Sequence, residues 1–160
     1  RSAKFNDAKL LIKIHNSSIK GGYFKSKNLI NLKSHLEWLK KKLRSSSRIY
    51  IGRNSENKNF GYVRFDEIKN KIFEVSIANL PNFYGKGLGS LMLDKSIKKF
   101  KKKNKIKKIN SVVKKNNYRS LKCFLNNNFV KTKFDKNKHF TKDKIDKIKE
   151  DYLELKSTLE

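Results

Sequence analysis

With 160 residues, the chain has the length of one domain and is too short for two full hydrophobic cores. Its single cysteine, Cys123, excludes an intrachain disulfide and a cysteine-rich zinc site, and no apolar run approaches the ~20 residues that span a bilayer. The net charge of +27 suggests nucleic acid as a partner, but only six of the 41 basic residues are arginine, the side chain preferred for bidentate phosphate recognition. We therefore expect a cytoplasmic protein with no membrane partner, and a basic nucleic-acid-binding module is kept as a second hypothesis.

The first half of the chain predicts two helices followed by three strands. Apolar residues at helical spacing predict the helices over 6–17 and 32–43. The polar loop between them carries Tyr23 and Phe24, which could wall a substrate pocket. The apolar period then shifts to two and predicts three consecutive antiparallel strands, over 48–51, 60–65 and 72–80. Pro81 ends the third strand because proline has no N–H to donate to a sheet.

The second half of the chain predicts helices that alternate with strands. A helix from residue 88 runs out in the lysines at 101–103, where basic residues favour the helix dipole. A strand over 106–113, a short helix over 117–127 and a strand over 129–134 follow. Apolar residues spaced by three and four predict a charged C-terminal helix over 141–160, after a domain that covers 1–140.

A glycine-rich turn joins the third predicted strand to the helix that begins at residue 88. It reads Tyr84-Gly85-Lys86-Gly87-Leu88-Gly89. Unpaired N–H groups and the positive end of the helix dipole bind phosphate at such a position, and glycines let the backbone approach the ligand. A turn without a ligand is the alternative. The alternate glycines after antiparallel strands do not fit the dinucleotide fingerprint, and no P-loop string occurs.

Two sequence windows resemble the GNAT superfamily of acyl-CoA-dependent N-acetyltransferases. Residues 81–89 read P-N-F-Y-G-K-G-L-G, similar to the family form P-E-Y-R-G-K-G-I-G. Residues 117–124 read N-Y-R-S-L-K-C-F and are followed by Asn128 and Phe129, which is similar to the family pattern N-x-x-S-[IL]-x-x-[FY]-x-x-x-G-F. Asn128 stands where the family has glycine, and both residues tolerate the left-handed conformation that ends a helix.

The resemblance covers nearly all of residues 1–134 and implies a fold. It is an α/β (α+β) acyl-CoA N-acyltransferase-like sandwich, with a mixed, mostly antiparallel central sheet and helices on both faces. The sheet is expected to splay after the strand that ends at Pro81. Because residues 1–3 resemble the end of the family's first strand, we expect that strand to be truncated here.

The resemblance also implies acetyl-CoA as cofactor. In the family the coenzyme arm pairs with the strand before the turn, and the turn binds the pyrophosphate. Tyr84 replaces the family's Arg or Gln, which removes one side-chain contact to that pyrophosphate. The expected coenzyme-binding residues are Ile77, Ala78, Asn79, Tyr84, Gly85, Lys86, Gly87, Leu88, Gly89, Ser90, Asn117, Ser120 and Phe124.

Direct acetyl transfer needs a base for the amine and an acid for the leaving thiolate. Glu74 lies on the opposite face of its strand from Phe73 and Val75 and could accept the amine proton, or could form an ion pair with Arg64. The family's tyrosine acid is replaced by Phe124, so Tyr118, Tyr84 or water would supply the proton. Cys123 is interpreted as a small buried hydrophobic residue rather than a nucleophile.

The acceptor amine is expected to approach past the first two helices. Candidate acceptor-binding residues are His15, Asn16, Tyr23, Phe24 and Arg64. The three histidines lack metal-ligand spacing, so no metal is expected. Short strings in three of the predicted elements resemble enzymes of the pseudaminic-acid type, which favours a nucleotide-linked amino sugar over ribosomal-protein or other amines. A catalytically inactive acetyl-CoA-binding domain is the further alternative, and the protein is expected to be a monomer or homodimer.

Overall fold

The computed structural model of the chain describes residues 1–22, 28–135 and 152–157. Short 3-10 turns at Phe5–Asp7 and Pro81–Phe83 precede α1 and α3. None of the described helices is long and apolar enough to cross a membrane. The described residues form ten main elements: α1 (Ala8–Lys20), α2 (Leu32–Arg44), β1 (Arg48–Arg53), β2 (Asn59–Lys69), β3 (Ile72–Asn79), α3 (Leu88–Lys103), β4 (Lys108–Lys114), α4 (Tyr118–Leu125), β5 (Phe129–Thr132) and β6 (Tyr152–Ser157).

The strands form one mixed sheet in the order β1-β2-β3-β4-β6-β5. All neighbouring pairs are antiparallel except β3 and β4, which are parallel. At the amino end Ser2 forms an isolated antiparallel bridge with Tyr50, and Ala3 N donates to Ile49 O at 2.8 Å. The predicted mostly antiparallel sheet with helices on both faces is confirmed.

Each face of the sheet carries its own hydrophobic core. On one face, α3 packs against β2 and β3, where Phe100 stacks on Phe65 with ring centroids 4.2 Å apart. On the other face, α1 and α2 cover β1 and β2, and Leu39 and Ile14 are fully buried there. Because successive strand residues point to opposite faces, the period-two alternation read from the sequence supplies both cores at once.

β3 and β4 pair only over their first three residues. Their parallel register runs from Ile72↔Lys108 to Glu74↔Asn110. Beyond Glu74 the two strands continue without pairing to each other, so the sheet opens at its centre. The predicted splay is therefore present, and the opening lies between the two helical layers.

The predicted C-terminal helix is wrong for the described residues within it. Residues 152–157 form β6, which lies between β4 and β5 and pairs with both. The spacing of Tyr152 and Leu155 fits a helix as well as it fits a strand. β4 and β5 each offer an unpaired backbone edge, and satisfying those edges outweighs the local helical pattern. Residues 152–157 therefore belong to the same domain as the rest of the sheet.

Two other predicted boundaries differ from the structure by more than two residues. α1 continues to Lys20, past the predicted end at residue 17, because Ile19 in its last turn is buried, and tertiary packing provides most of the stability of a helix. β2 extends to Lys69, so the hairpin turn consists of Asn70 and Lys71, which have φ of 44° and 63°. Positive φ at both central residues is the geometry that tight two-residue hairpins prefer.

The central place of β6 predicts a large effect of shortening Leu155. This side chain is fully buried, so Leu155→Ala should lower the free energy of unfolding by about 2–5 kcal/mol in urea titrations. Val130→Ala on β5 is the control, because Val130 is 48% exposed and its truncation should cost no more than about 0.5 kcal/mol. Equal small losses in the two variants would contradict the pairing of β6.

Candidate active site

A cleft of about 620 Å³ lies where β3 and β4 part. Residues 75–79 of β3 form one wall, and residues 111–114 of β4 form the opposite wall. The glycine turn and α4 close it on the face covered by α3, while His15 and Ser18 of α1 border it on the other face. The cleft thus joins the two faces of the sheet.

The glycine turn is held in a conformation that glycine adopts easily. Gly85 and Gly87 have φ of 74° and 69°, in the left-handed region, and Gly87 is the N-cap of α3. A Cβ added at either position would meet no atom within 4 Å, so the turn borders open space. The first N–H groups of α3 have no carbonyl acceptor within the helix. The turn can therefore hold an anionic group against the positive end of α3.

Asparagine side chains connect the start of α3 to its neighbours. Asn127, after α4, donates from Nδ2 to the Ser90 carbonyl at 3.2 Å and to Ser90 Oγ at 2.9 Å. Asn79, at the end of β3, lies so close to Gly89 that a Cβ there would be 2.9 Å from Asn79 Nδ2. The Asn79 Oδ1 atom is buried without a hydrogen-bond partner in the described structure. These contacts fix the first turn of α3 between β3 and α4.

An arginine lies over the tyrosine that departs from the family motif. The Arg119 Cζ atom is 4.7 Å from the centroid of the Tyr84 ring, within the range of a cation–π contact. Both residues line the cleft. The guanidinium of Arg119 on α4 thus places a positive charge beside the glycine turn, which the uncharged side chain of Tyr84 cannot supply.

α4 contributes three further groups to the cleft wall. Asn117 is its N-cap, accepting from Ser120 N at 3.2 Å, and is 8% exposed. Phe124 is buried against Phe129. Burial raises the pKa of the Cys123 thiol to about 12, so this cysteine stays protonated and is a poor nucleophile.

The opposite side of the opening carries an imidazole and a pair of carboxylates. His15 Nδ1 and the Tyr62 hydroxyl lie 2.9 Å apart and share a hydrogen bond. Burial, followed by the charge of Arg64, lowers the pKa of His15 to about 4, so the ring is neutral at pH 7. Glu74 lies directly opposite Asp66 across the β2–β3 pair and borders the cleft.

Asp66 is held by two cations. Arg64 Nε lies 2.6 Å from Asp66 Oδ2, and Lys42 Nζ lies 2.6 Å from Asp66 Oδ1. The Ser47 hydroxyl also donates to this carboxylate at 3.0 Å. Arg64 thus has an ion pair with its own strand neighbour Asp66, in addition to any contact with Glu74.

Most of the sequence-predicted site residues line this cleft. They are His15, Arg64, Glu74, Ile77, Ala78, Asn79, Tyr84, Gly85, Gly87, Leu88, Gly89, Ser90, Asn117, Ser120 and Phe124.

Three predicted residues that the structure describes do not line the cleft, and two others cannot be compared with it. Tyr118 is 76% exposed on α4 and lies outside the cleft lining. Asn16 follows the cleft-lining His15 by one residue on α1. Its side-chain amide donates to the Ile30 carbonyl and its Oδ1 accepts from Ile30 N. Lys86 points back over the Phe83 ring, with Nζ 5.6 Å from the centroid. Tyr23 and Phe24 lie outside the described residues.

Tyr152, Lys114 and Arg119 are among the cleft residues that sequence reasoning missed. Tyr152 enters from β6, whose strand character the helical spacing concealed. Lys114 is 5% exposed and donates to the Gly22 carbonyl at 2.9 Å, so it joins β4 to the end of α1. Arg119 occupies a variable position of the second family pattern, so nothing in the sequence indicated its role. Its contact with Tyr84 depends on the tertiary fold.

Comparison with known proteins agrees with this geometry. The model of the acetyltransferase (GNAT) family matches residues 17–129. No curated protein sequence matches the chain significantly.

Several solved structures share the fold. The ribosomal-protein-alanine N-acetyltransferase of Brucella melitensis is 17% identical to this chain, with a TM-score of 0.81. The aligned region covers 99% of this chain and 98% of the Brucella chain. The yncA protein of Salmonella typhimurium, determined with its cofactor acetyl-CoA, is 16% identical with a TM-score of 0.79, covering 100% and 92%. A mutant of the spermidine N-acetyltransferase SpeG of Vibrio cholerae is 15% identical with a TM-score of 0.76, covering 98% and 92%.

The family match covers more than half of the chain and includes the glycine turn, α3, β4 and α4, which build the cleft. The chain therefore belongs to the GNAT family of acetyltransferases, as an acyl-CoA-dependent N-acetyltransferase that uses acetyl-CoA.

Proposed function

We propose that this enzyme transfers the acetyl group of acetyl-CoA directly to a primary amine that enters from the α1–α2 side of the sheet. The observation that carries this proposal is the opening between β3 and β4, which connects the glycine turn with His15, Arg64 and Glu74. When bound, acetyl-CoA supplies an activated acetyl thioester. Because the two faces meet in the cleft, the amine can reach that thioester without a covalent enzyme intermediate.

The coenzyme-binding half of the proposal rests on the start of α3 and on the edge of β3. Backbone N–H groups and the helix dipole at Gly87 favour a pyrophosphate. Arg119 adds a guanidinium beside Tyr84 and compensates for the Arg or Gln that the family has at the position of Tyr84. Residues 77–79 border the opening, where their backbone can pair with the amide-rich coenzyme arm as a neighbouring strand would.

Glu74 is the proposed general base. It borders the cleft, and its side chain lies on the α1 face of β3, opposite Phe73 and Val75 in the α3-side core. Its carboxylate neighbour Asp66 pairs with Arg64 and Lys42 and is not among the described residues that line the cleft. We therefore assign to Glu74 the role of taking the amine proton, directly or through one water, before the nitrogen attacks.

The acid for the leaving thiolate is proposed to be a tyrosine that lines the cleft or a water molecule. Tyr118 is less suited than expected because its side chain is largely in solvent. Tyr84 and Tyr152 both border the cleft. Tyr84 lies beside the turn with Arg119 over its ring, whereas Tyr152 lies on β6 next to β4, so the two would reach the cleft from different walls.

A nucleotide-linked amino sugar is the acceptor that we propose. The sequence strings shared with the pseudaminic-acid type support it, and so does the cation of Arg64 on the acceptor side. The cleft and Glu74 favour catalysis over a coenzyme-binding domain without activity. The scarcity of arginine and the cleft volume of about 620 Å³ favour a small acceptor over nucleic acid.

Replacing the proposed base should slow transfer without weakening coenzyme binding. Glu74→Gln should lower kcat/KM for an accepted amine about 10²–10⁴-fold, because the amine proton loses its acceptor. The loss should shrink as pH rises, since more of the amine is then neutral in solution. The dissociation constant for acetyl-CoA, measured by calorimetry, should stay within about twofold.

Glu67→Gln is the matched control for Glu74→Gln. Glu67 is an exposed carboxylate at the end of β2, and its Oε1 accepts from Lys71 N, a bond that glutamine can keep. The activity of the Glu67→Gln variant should equal that of the wild type. Unchanged turnover in Glu74→Gln would remove Glu74 as the base.

Removing the guanidinium beside the turn should weaken coenzyme binding. Arg119→Met should raise the acetyl-CoA dissociation constant about tenfold, the low end of what a charge-assisted hydrogen bond contributes, since Arg119 is exposed. Added salt should weaken wild-type binding more than binding by the variant. Arg53→Met, an exposed arginine on β1, should leave the constant unchanged. Equal constants for the wild type and Arg119→Met would contradict the compensation of Tyr84.

A further inference from the structure

A second cavity, of about 290 Å³, lies between the α1–α2 layer and the sheet. Leu11, Ile49 and Tyr62 form its floor, and His35 and Trp38 of α2 form one side. His15 and Arg64 line both this cavity and the cleft between β3 and β4. The second cavity is therefore adjacent to the site of transfer.

Two stacked rings shape one side of the second cavity. The His35 and Trp38 rings have centroids 5.0 Å apart and an interplanar angle of 29°. Arg64 Cζ lies 5.3 Å from the centroid of the Trp38 ring. Flat, apolar and amphipathic surfaces of this kind suit the ring of a small molecule.

Two side-chain nitrogens of residues that line the cavity, His35 Nε2 and Arg64 Nε, are buried without a hydrogen bond in the described structure. Arg64 Nε has the ion pair with Asp66, whereas His35, which is 4% exposed, has no hydrogen-bond partner at Nε2. Buried polar atoms in native proteins are nearly always satisfied. A ligand in the cavity that carries a hydroxyl or carbonyl group would satisfy this nitrogen.

The charge of the cavity has one sign. Of the described residues that line it, Arg64 alone is charged at neutral pH. Burial, followed by the charge of Arg64, lowers the pKa of both His15 and His35, so both rings are neutral. The Arg64 partner Asp66 also pairs with Lys42, so these three side chains together keep a net positive charge. The nearby carboxylate of Glu74 lines the cleft between β3 and β4 and is not in the described lining of this cavity. An anion is favoured here, and a second cation on the ligand is disfavoured.

The geometry points to an acceptor that carries an anionic group besides its amine, with Arg64 binding the carboxylate or phosphate and the His35–Trp38 side of the cavity holding the ring. This inference rests on the proposed function, because it takes the amine to be the group that faces Glu74. In the β2–β3 register Arg64 is opposite Ser76, so Glu74 is its diagonal neighbour, about 7–8 Å away between Cβ atoms. One small molecule can reach both residues.

Matched pairs of amines test this inference by calorimetry on the protein saturated with CoA. Phenylalanine and phenethylamine differ by a carboxylate, and UDP-glucosamine and glucosamine differ by a nucleotide diphosphate. Spermidine is the polycationic probe. In at least one pair the member that carries the anionic group should bind at least tenfold tighter than the partner that lacks it, and spermidine should bind more weakly than that member. The pair that shows the difference identifies the carboxylate or the phosphate as the source of the anion.

Variants of Arg64 connect the preference to this residue. Arg64→Leu should abolish the tenfold difference, and Arg64→Lys should retain part of it, while Lys42 keeps Asp66 paired in both. Arg44→Leu, an exposed arginine at the end of α2, should behave as the wild type. Stabilisation by acetyl-CoA should persist in all three variants and thus verify that they fold.

The outcomes separate this inference from the proposed function. Three results would overturn the inference: the amines without an anionic group, or spermidine, bind as tightly as those with one; the preference is unchanged in Arg64→Leu; or no amine with an anionic group binds. Binding with the expected preference but without release of CoA thiol from acetyl-CoA would instead contradict acetyl transfer and leave the anion site in place.

Discussion

The parting of β3 and β4 after three residue pairs is the constraint on which the rest of the site depends. A continuous sheet would separate the α1–α2 face from the α3–α4 face, and no group on one could react with a group on the other. The opening leaves backbone groups of β3 without partners on β4, a cost that the long antiparallel ladder between β2 and β3 and the insertion of β6 beside β4 help to offset. The backbone edge of β3 beyond Glu74 can then form hydrogen bonds with a ligand that contains amide groups.

Charge is divided between the two ends of the opening. At the coenzyme end, the start of α3 and Arg119 favour phosphate. On the α1–α2 side, Arg64 and Lys42 pair with Asp66, and Glu74, the residue that we propose as the base, borders the cleft beside them. Most of the lysines that the structure describes are exposed on the surface.

Local patterns predicted the parts of the fold that local physics determines. The glycine turn, the alternation of β1–β3 and the left-handed Asn128, with φ of 60°, each follow from the conformational preferences of a few adjacent residues. β6 was mistaken for a helix because its pairing with β4 and β5 depends on segments that are distant in sequence. The contacts of Arg119 with Tyr84 and of Asn127 with Ser90 likewise depend on the tertiary structure and could not be predicted from local sequence. Tyr118 lies on α4 beside the cleft, yet its side chain faces solvent.

Stabilisation by acetyl-CoA tests most directly whether the opening beside the glycine turn is a coenzyme site. In urea titrations of the wild type, acetyl-CoA at a hundred times its dissociation constant should raise the free energy of unfolding by about 2.7 kcal/mol. Gly87→Trp, which places an indole at the left-handed N-cap of α3, should lose this gain relative to its own ligand-free baseline. No gain in the wild type, or an equal gain in Gly87→Trp, would contradict the account.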